Sequence, residues 1–301
     1  MKIAFMFAGQ GAQRVGMGFD LYQNDIESKK LFDAFPEVRD LCFTDKDNVL
    51  NETKYAQKAI LLESYVVASY LKRNGINPEY ALGLSLGEYS ALCFANSFSL
   101  SDGIKITAKR GDIMQNALPL GTSAMAAVIG APLELIENAI KDINGVCEIA
   151  NYNSPAQIVI TGDTTSIDEA MIKLKEAGAK RVIKLNVSGA FHSSLLNNAS
   201  DELYDELSKY DIKKPSLKIV YNTYALESND DIKQILKKQI KSSVRFMQSI
   251  EYLISKGVDT FIEIGPGATL SGFVKKINPN VAIYNTDSFD NIKTLIGGIK
   301  K

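Results

Sequence analysis

Ser85 lies in the stretch GLSLGEYSAL, residues 83–92, with the spacing G-x-S-x-G, an apolar run before it and a helix-forming run after it. A serine on a sharp strand-to-helix turn can attack an acyl carbon. The turn lifts Oγ out of the main chain and aims the free N–H groups of the helix start at the developing oxyanion. Attack also needs a base, and the chain contains one histidine, His192, in VSGAFHSSLL just before a helical run. If Ser85 is activated by the commonest means, His192 takes its proton, and the first step then depends on one base in the histidine range of pH. The competing readings are a structural serine in a glycine-rich bend and a histidine with a structural or surface role.

Two further features concern what is attacked. In SDGIKITAKRGDIMQNA (101–117), read as a helix with a serine cap, Ile106, Arg110, Ile113 and Met114 fall at i, i+3/i+4 spacing. Arg110 therefore shares a face with apolar residues. An arginine there needs an anion, either a protein carboxylate or a carboxylate of the substrate that fits its planar fork. The loop AGQGAQ after the first apolar run looks like a dinucleotide loop, but Arg14 stands where the third glycine belongs. The nucleotide reading fails on that position. A glycine-rich loop also lets main-chain N–H groups approach a reacting centre, and Gln10 would be such a donor.

These residues need a scaffold of strands and helices. KIAFMF (2–7) reads as a first strand, with a helix from about Met17. A buried helix is expected over 55–75, and YALGLS (80–85) is the strand delivering Ser85 to the helix LGEYSALCFAN. From 123 the rhythm becomes β-α-β-β-α-β: SAMAAVIG, PLELIENAIKDI, CEIAN, QIVITG, TSIDEAMIKLKEAG and RVIKLNV. That is the ferredoxin-like order. It predicts a small subdomain over 123–188, inserted into an α/β parallel-sheet core formed by 1–122 and 189–301. Beyond His192 the pattern gives a helix to about Tyr210, the strand LKIVYN, two helices around 230–257, the strand DTFIEIG, a G-P-G turn, and a last helix and strand.

The chain has 301 residues, 46% hydrophobic and 23% charged, with a formal net charge of −1. That profile belongs to a globular enzyme and speaks against nucleic acid as a partner. No stretch approaches the ~20 apolar residues of a membrane span. Cys42, Cys93 and Cys147 are far apart, lack C-x-x-C spacing, and read as buried free thiols in a reducing cytoplasm.

Taken in order, FAGQGAQRVGMG, GLSLGEYSAL, KRGDIMQ, AMAAVIG, NYNSPAQIVITG, SGAFHS and EIGPGATLSG resemble the malonyl-CoA:acyl carrier protein transacylase family over nearly the whole chain. The resemblance implies a hydrolase-like α/β core with the ferredoxin-like insert, Ser85 as the acylated nucleophile and His192 as its base. It implies an oxyanion hole from the main-chain N–H groups of Gln10 and Leu86, and Arg110 as receptor of the malonyl carboxylate. Met114 and Phe191 would form the pocket wall, the ring of Phe191 favouring malonyl over methylmalonyl groups. The carbonyl that orients the histidine is expected at Arg245, in SVRF. One departure is that Leu84 stands where relatives often have histidine, in G-H-S-x-G.

The implied reaction moves malonyl from malonyl-CoA to the phosphopantetheine thiol of acyl carrier protein for fatty acid biosynthesis. It uses no cofactor and no metal, in a cytoplasmic monomer. The alternatives at this point are a polyketide acyltransferase, a serine thioesterase or other hydrolase, and a non-catalytic carrier-binding module.

Overall fold

A computed structural model describes residues 1–187 and 189–299. Strand β1 (Ile3–Phe7) is followed by three short helices, α1 (Phe19–Asn24), α2 (Ile26–Asp33) and α3 (Pro36–Phe43), and by the long α4 (Thr53–Arg73). β2 (Tyr80–Gly83) turns directly into α5 (Leu86–Phe94), and α6 (Leu100–Asn116) follows. Next come β3 (Ser123–Ile129), α7 (Leu133–Ile140), β4 (Cys147–Ser154), β5 (Gln157–Asp163), α8 (Thr164–Glu176) and β6 (Arg181–Lys184). The chain then passes a 3-10 turn at Ser194–Leu196 into α9 (Asn197–Leu207), β7 (Lys218–Ile219), α10 (Ile232–Gln239) and α11 (Phe246–Ser255). It ends with β8 (Thr260–Ile264), α12 (Thr269–Ile277), β9 (Ala282–Asn285) and α13 (Phe289–Ile299).

Five strands form one parallel sheet in the order β7-β2-β1-β8-β9. β1, β2 and β8 are buried at every position. β1 is accordingly a continuous apolar run, as a parallel sheet covered on both faces favours, whereas β8 also buries Thr260 and Glu263, the latter capped by the N–H groups of Leu270 and Ser271. On one face Phe5 and Phe7 pack with Phe94 of α5 and with α4, and on the other Ala4 and Met6 pack with Phe246, Ile250 and Phe261.

The second sheet is antiparallel, in the order β4-β5-β3-β6, with α7 and α8 on one face, which is the ferredoxin-like arrangement. Along β3, Ala124, Ala126 and Val128 enter the core under these helices, while Met125 and Ala127 face the main body. Period-two alternation thus gives this sheet one face for its own core and one for the cleft. Edge strand β4 is stitched to the main body. The Val244 N–H donates to Ala150 O at 2.8 Å, Tyr152 N–H to Val244 O at 2.9 Å, and the Ser243 hydroxyl to Ile149 O at 2.6 Å. Glu148 accepts from the N–H and hydroxyl of Ser194, two residues past His192.

Several details differ from the sequence expectation. The helix carrying Arg110 is capped by Ser99, not Ser101, and Ser99 Oγ accepts the Asp102 N–H at 3.0 Å. Strand β7 keeps only two ladder positions, because the chain bends at Tyr221 to pair with Leu226. Helices α2, α3 and α13 were not anticipated. Cys42 and Cys93 are buried and burial pushes both thiols up, whereas Cys147 is only half-buried. Ser188, the expected end of the insert, and the two terminal lysines lie outside the described residues.

The glycines of the G-x-S-x-G stretch are packing requirements. A Cβ on Gly83 would overlap the Gly87 main chain, and one on Gly87 would overlap Phe7 O. The start of α5 is therefore pressed against β1 and β2 with no room for a side chain. Gly87→Ala is expected to cost about 3 kcal/mol or more as an overpacked site, read as a lowered midpoint of chemical denaturation; an unchanged midpoint would show that α5 can retreat.

Candidate active site

Ser85 sits between β2 and α5 with φ 54° and ψ −102°, a conformation rarely adopted by a residue with a side chain. This is the sharp turn that the spacing implied. Its Oγ lies 2.7 Å from His192 Nε2 and 3.1 Å from Arg110 Nη2. Three residues far apart in sequence thus meet at one oxygen.

His192 is buried, and its Nδ1 faces two main-chain oxygens, Gln239 O at 3.0 Å and Ser242 O at 3.2 Å. Both are acceptors only, so Nδ1 carries the proton and the Nε2 lone pair faces Ser85. The orienting carbonyl expected at Arg245 is therefore corrected to Gln239 and Ser242. The Arg245 carbonyl instead accepts from Ser249, and its N–H donates to Asn222 O. Burial, and then the nearby Arg110 charge, pull the imidazole down to about 4. It is neutral, and so a competent base, across the ordinary pH range rather than only above the usual histidine value.

Arg110 is fully buried, and no described carboxylate lies within ion-pairing distance of it. Its guanidinium donates to three neutral oxygens: Gln57 Oε1 at 2.8 Å, Gln239 Oε1 at 3.1 Å and Ser85 Oγ. It also lies over the Tyr89 ring at 4.8 Å, and its Nε has no partner. Glu88 is near enough to feel the charge, but its carboxyl accepts the Asn222 N–H and burial pushes it up to about 8, so it is largely protonated at neutral pH. Of the two anions the sequence left open for Arg110, a protein carboxylate is not paired with it among the described residues.

Gln10 lies in the loop after β1. Its side chain donates to Thr53 Oγ1 at 3.1 Å and accepts from Gln57 Nε2 at 3.2 Å. The Gln10 N–H has no acceptor among the described residues, and Leu86, as the first residue of α5, has no intrahelical acceptor for its N–H. Met114 and Phe191 line the same cleft of about 410 Å³ as Ser85, Gln10 and His192, closed on the far side by Met125, Asn151, Asn153 and Val159 of the second sheet. A larger groove of about 750 Å³ beside β7 contains none of the candidate residues.

Three amide side chains that sequence reasoning missed hold this arrangement. Gln57 bridges Arg110 and the Gln10 loop. Gln239 donates from Nε2 to Ser85 O at 2.8 Å, besides its contacts to Arg110 and His192. Asn222 accepts the Ser85 N–H at 2.8 Å and donates to Gly83 O at 2.6 Å.

A serine on such a turn, a neutral imidazole bonded to it and a buried arginine beside both have the geometry of a serine-dependent acyl-transfer centre on an α/β sheet. The comparisons agree: residues 4–281 match the acyl transferase domain family, and the chain belongs to it. It is 40% identical to the malonyl CoA-acyl carrier protein transacylase of Bacillus subtilis (strain 168), over 100% of this chain and 98% of that protein. The crystal structure of the enzyme of that name from Clostridium perfringens is 41% identical with a TM-score of 0.96, covering 100% of this chain and 98% of that one. A malonyl-transacylase solved in complex with a type II PKS acyl-carrier protein is 30% identical with a TM-score of 0.95, over 99% of this chain and 100% of that one.

With one histidine in the chain, its imidazole gives a single NMR signal. That signal should titrate near pH 4 in the free protein. The sign follows from the shift: the unfolded imidazole takes its proton first, near 6.5, so folding is destabilised as pH falls from there towards 4. Replacing Arg110 with glutamine removes a nearby positive charge and should move the titration upward; no movement would show that burial alone sets it.

Proposed function

We infer that the protein transfers the malonyl group of malonyl-CoA to the phosphopantetheine thiol of acyl carrier protein, for fatty acid biosynthesis, through a malonyl ester of Ser85. The observation that carries this reading is Arg110: a buried cation beside the nucleophile, bonded only to neutral oxygens, supports a substrate that brings its own carboxylate.

In the first half-reaction His192 Nε2 accepts the Ser85 proton while Oγ adds to the thioester carbonyl. The oxyanion takes the N–H groups of Gln10 and Leu86. Collapse breaks the C–S bond, the leaving CoA sulfur takes the proton from Nε2 and departs as the thiol, and the imidazole is neutral again. In the second half the pantetheine thiol gives its proton to the same nitrogen and attacks the ester, and Ser85 Oγ leaves protonated. Gln239 and Ser242 O stabilise the imidazolium formed in each half. Arg110 holds the malonyl carboxylate throughout, with Met114 and Phe191 limiting the room around the acyl carbon. Acetyl-CoA would leave the guanidinium without an anion, which disfavours it.

A neutral ester or thioester gives a hydrolase no use for a buried guanidinium beside the nucleophile, so hydrolysis is the weaker reading. A polyketide carrier is the second reading, favoured by the neighbour solved with such a carrier. We take the enzyme to act as a monomer. We place the enzyme in the cytoplasm, working without a cofactor, and take 123–188 as a subdomain inserted into the core of 1–122 and 189–301.

Mixing the protein with malonyl-CoA should add the mass of one malonyl group, and Ser85→Ala should abolish the adduct. An adduct that persists in that variant overturns the assignment of Ser85. Arg110→Ala should lose malonyl transfer by on the order of a hundredfold while gaining relative tolerance of acetyl-CoA. Equal losses with both donors would make the arginine structural.

A further inference from the structure

We propose that Asn222 is a positioning residue for the nucleophile: its side-chain amide replaces the strand partner that β2 lacks at its end, and so holds the Ser85 peptide in its left-handed conformation. The proposal rests on the reading of Ser85 as nucleophile and goes beyond it to what keeps the serine reactive.

The parallel ladder between β7 and β2 pairs Lys218 with Tyr80 and Ile219 with Ala81, and the Val220 N–H still donates to Ala81 O at 3.0 Å. The backbone then bends away at Tyr221. The carbonyl of Gly83, at the end of β2, and the N–H of Ser85, two residues on, lie beyond that bend. Asn222 partners both from one side chain, with Nδ2 donating to Gly83 O at 2.6 Å and Oδ1 accepting the Ser85 N–H at 2.8 Å. A primary amide offers a donor and an acceptor in one plane, as a peptide group does. Aspartate would turn an oxygen towards the Gly83 carbonyl, and alanine would offer neither group.

Asn222 is itself held. It is 2% exposed, and its N–H donates to the carboxyl of Glu88, one turn into the helix that Ser85 starts. The loop at 222 and the first turn of α5 are thereby tied together across the strained residue. The Ser85 carbonyl is taken by Gln239 Nε2 at 2.8 Å, and the same nitrogen lies 3.4 Å from Asn222 Oδ1. The Ser85 N–H is thus satisfied by the Asn222 amide, and its carbonyl by the Gln239 amide together with the Glu88 N–H at 3.1 Å. Such over-determination is what allows a residue to persist at φ 54°. Without it the turn relaxes and Oγ leaves the line to His192 Nε2, and misplacement by about 1 Å costs orders of magnitude in rate.

The test measures Asn222→Asp and Asn222→Ala with two reagents. A small fluorophosphonate that phosphonylates activated serines reports Ser85 without using Arg110 or the CoA site, and malonyl-CoA reports the proposed reaction. Expected are native circular dichroism, phosphonylation slowed on the order of tenfold or more, and malonylation at saturating malonyl-CoA slowed in parallel, with half-saturation within about twofold of wild type. Phosphonylation of the folded variants at the wild-type rate overturns the proposal, as does loss confined to half-saturation. Loss of native circular dichroism in both variants also overturns it, making Asn222 a residue of the fold only. A wild-type protein that is phosphonylated but never malonylated overturns the malonyl reading and leaves the Asn222 comparison intact.

Discussion

A guanidinium buried without a carboxylate is the constraint on which the centre depends. Arg110 sits inside the protein on neutral oxygens and an aromatic face. Together with burial, its charge lowers the basicity of His192 beside it, and its Nη2 donates to Ser85 Oγ. Removing a cation from water is expensive unless an anion or a full set of acceptors replaces the lost hydration. The acceptors are there in part, with Nε left over. The surrounding amides Gln57 and Gln239 follow from that need: each is buried and offers an oxygen to the guanidinium, with its nitrogen turned to the loop of Gln10 or to the Ser85 carbonyl.

The second sheet belongs to the same design. Its edge strand joins the segment whose carbonyls face the imidazole, and Glu148 grips the turn just after His192. The histidine is thus fixed from both sides of the cleft, and a change in the seating of this sheet would be felt at Nε2.

Legibility from sequence followed rarity and locality. Ser85, His192 and Arg110 could be read because a G-x-S-x-G turn, a lone histidine and an arginine on an apolar helix face are uncommon and local. The β-α-β-β-α-β order was readable because each of its elements carries its own period. The histidine-orienting carbonyl was misplaced to Arg245 because every residue has a carbonyl, and only the path of the chain after α10 decides which one faces the ring. Asn222 and Gln239 were invisible for a related reason. Amides are common on surfaces, and their partners at Ser85 lie 137 and 154 residues away. α2 and α13 begin on side-chain caps, Asp25 and Ser288, but the largely polar run of the first and the Gly297-Gly298 pair of the second mask the helix behind each cap.

One residue, Gln239, touches Ser85, His192 and Arg110 together. Its side-chain oxygen and Ser85 Oγ share Arg110 Nη2, the nitrogen that a substrate carboxylate would take on the reading proposed for Arg110. Arrival of that carboxylate is then an exchange of partners rather than the filling of a void, and its departure is cushioned by the same exchange in reverse. A transferase must let go of its acyl group as readily as it accepts it, and a receptor that is never left bare keeps both directions shallow.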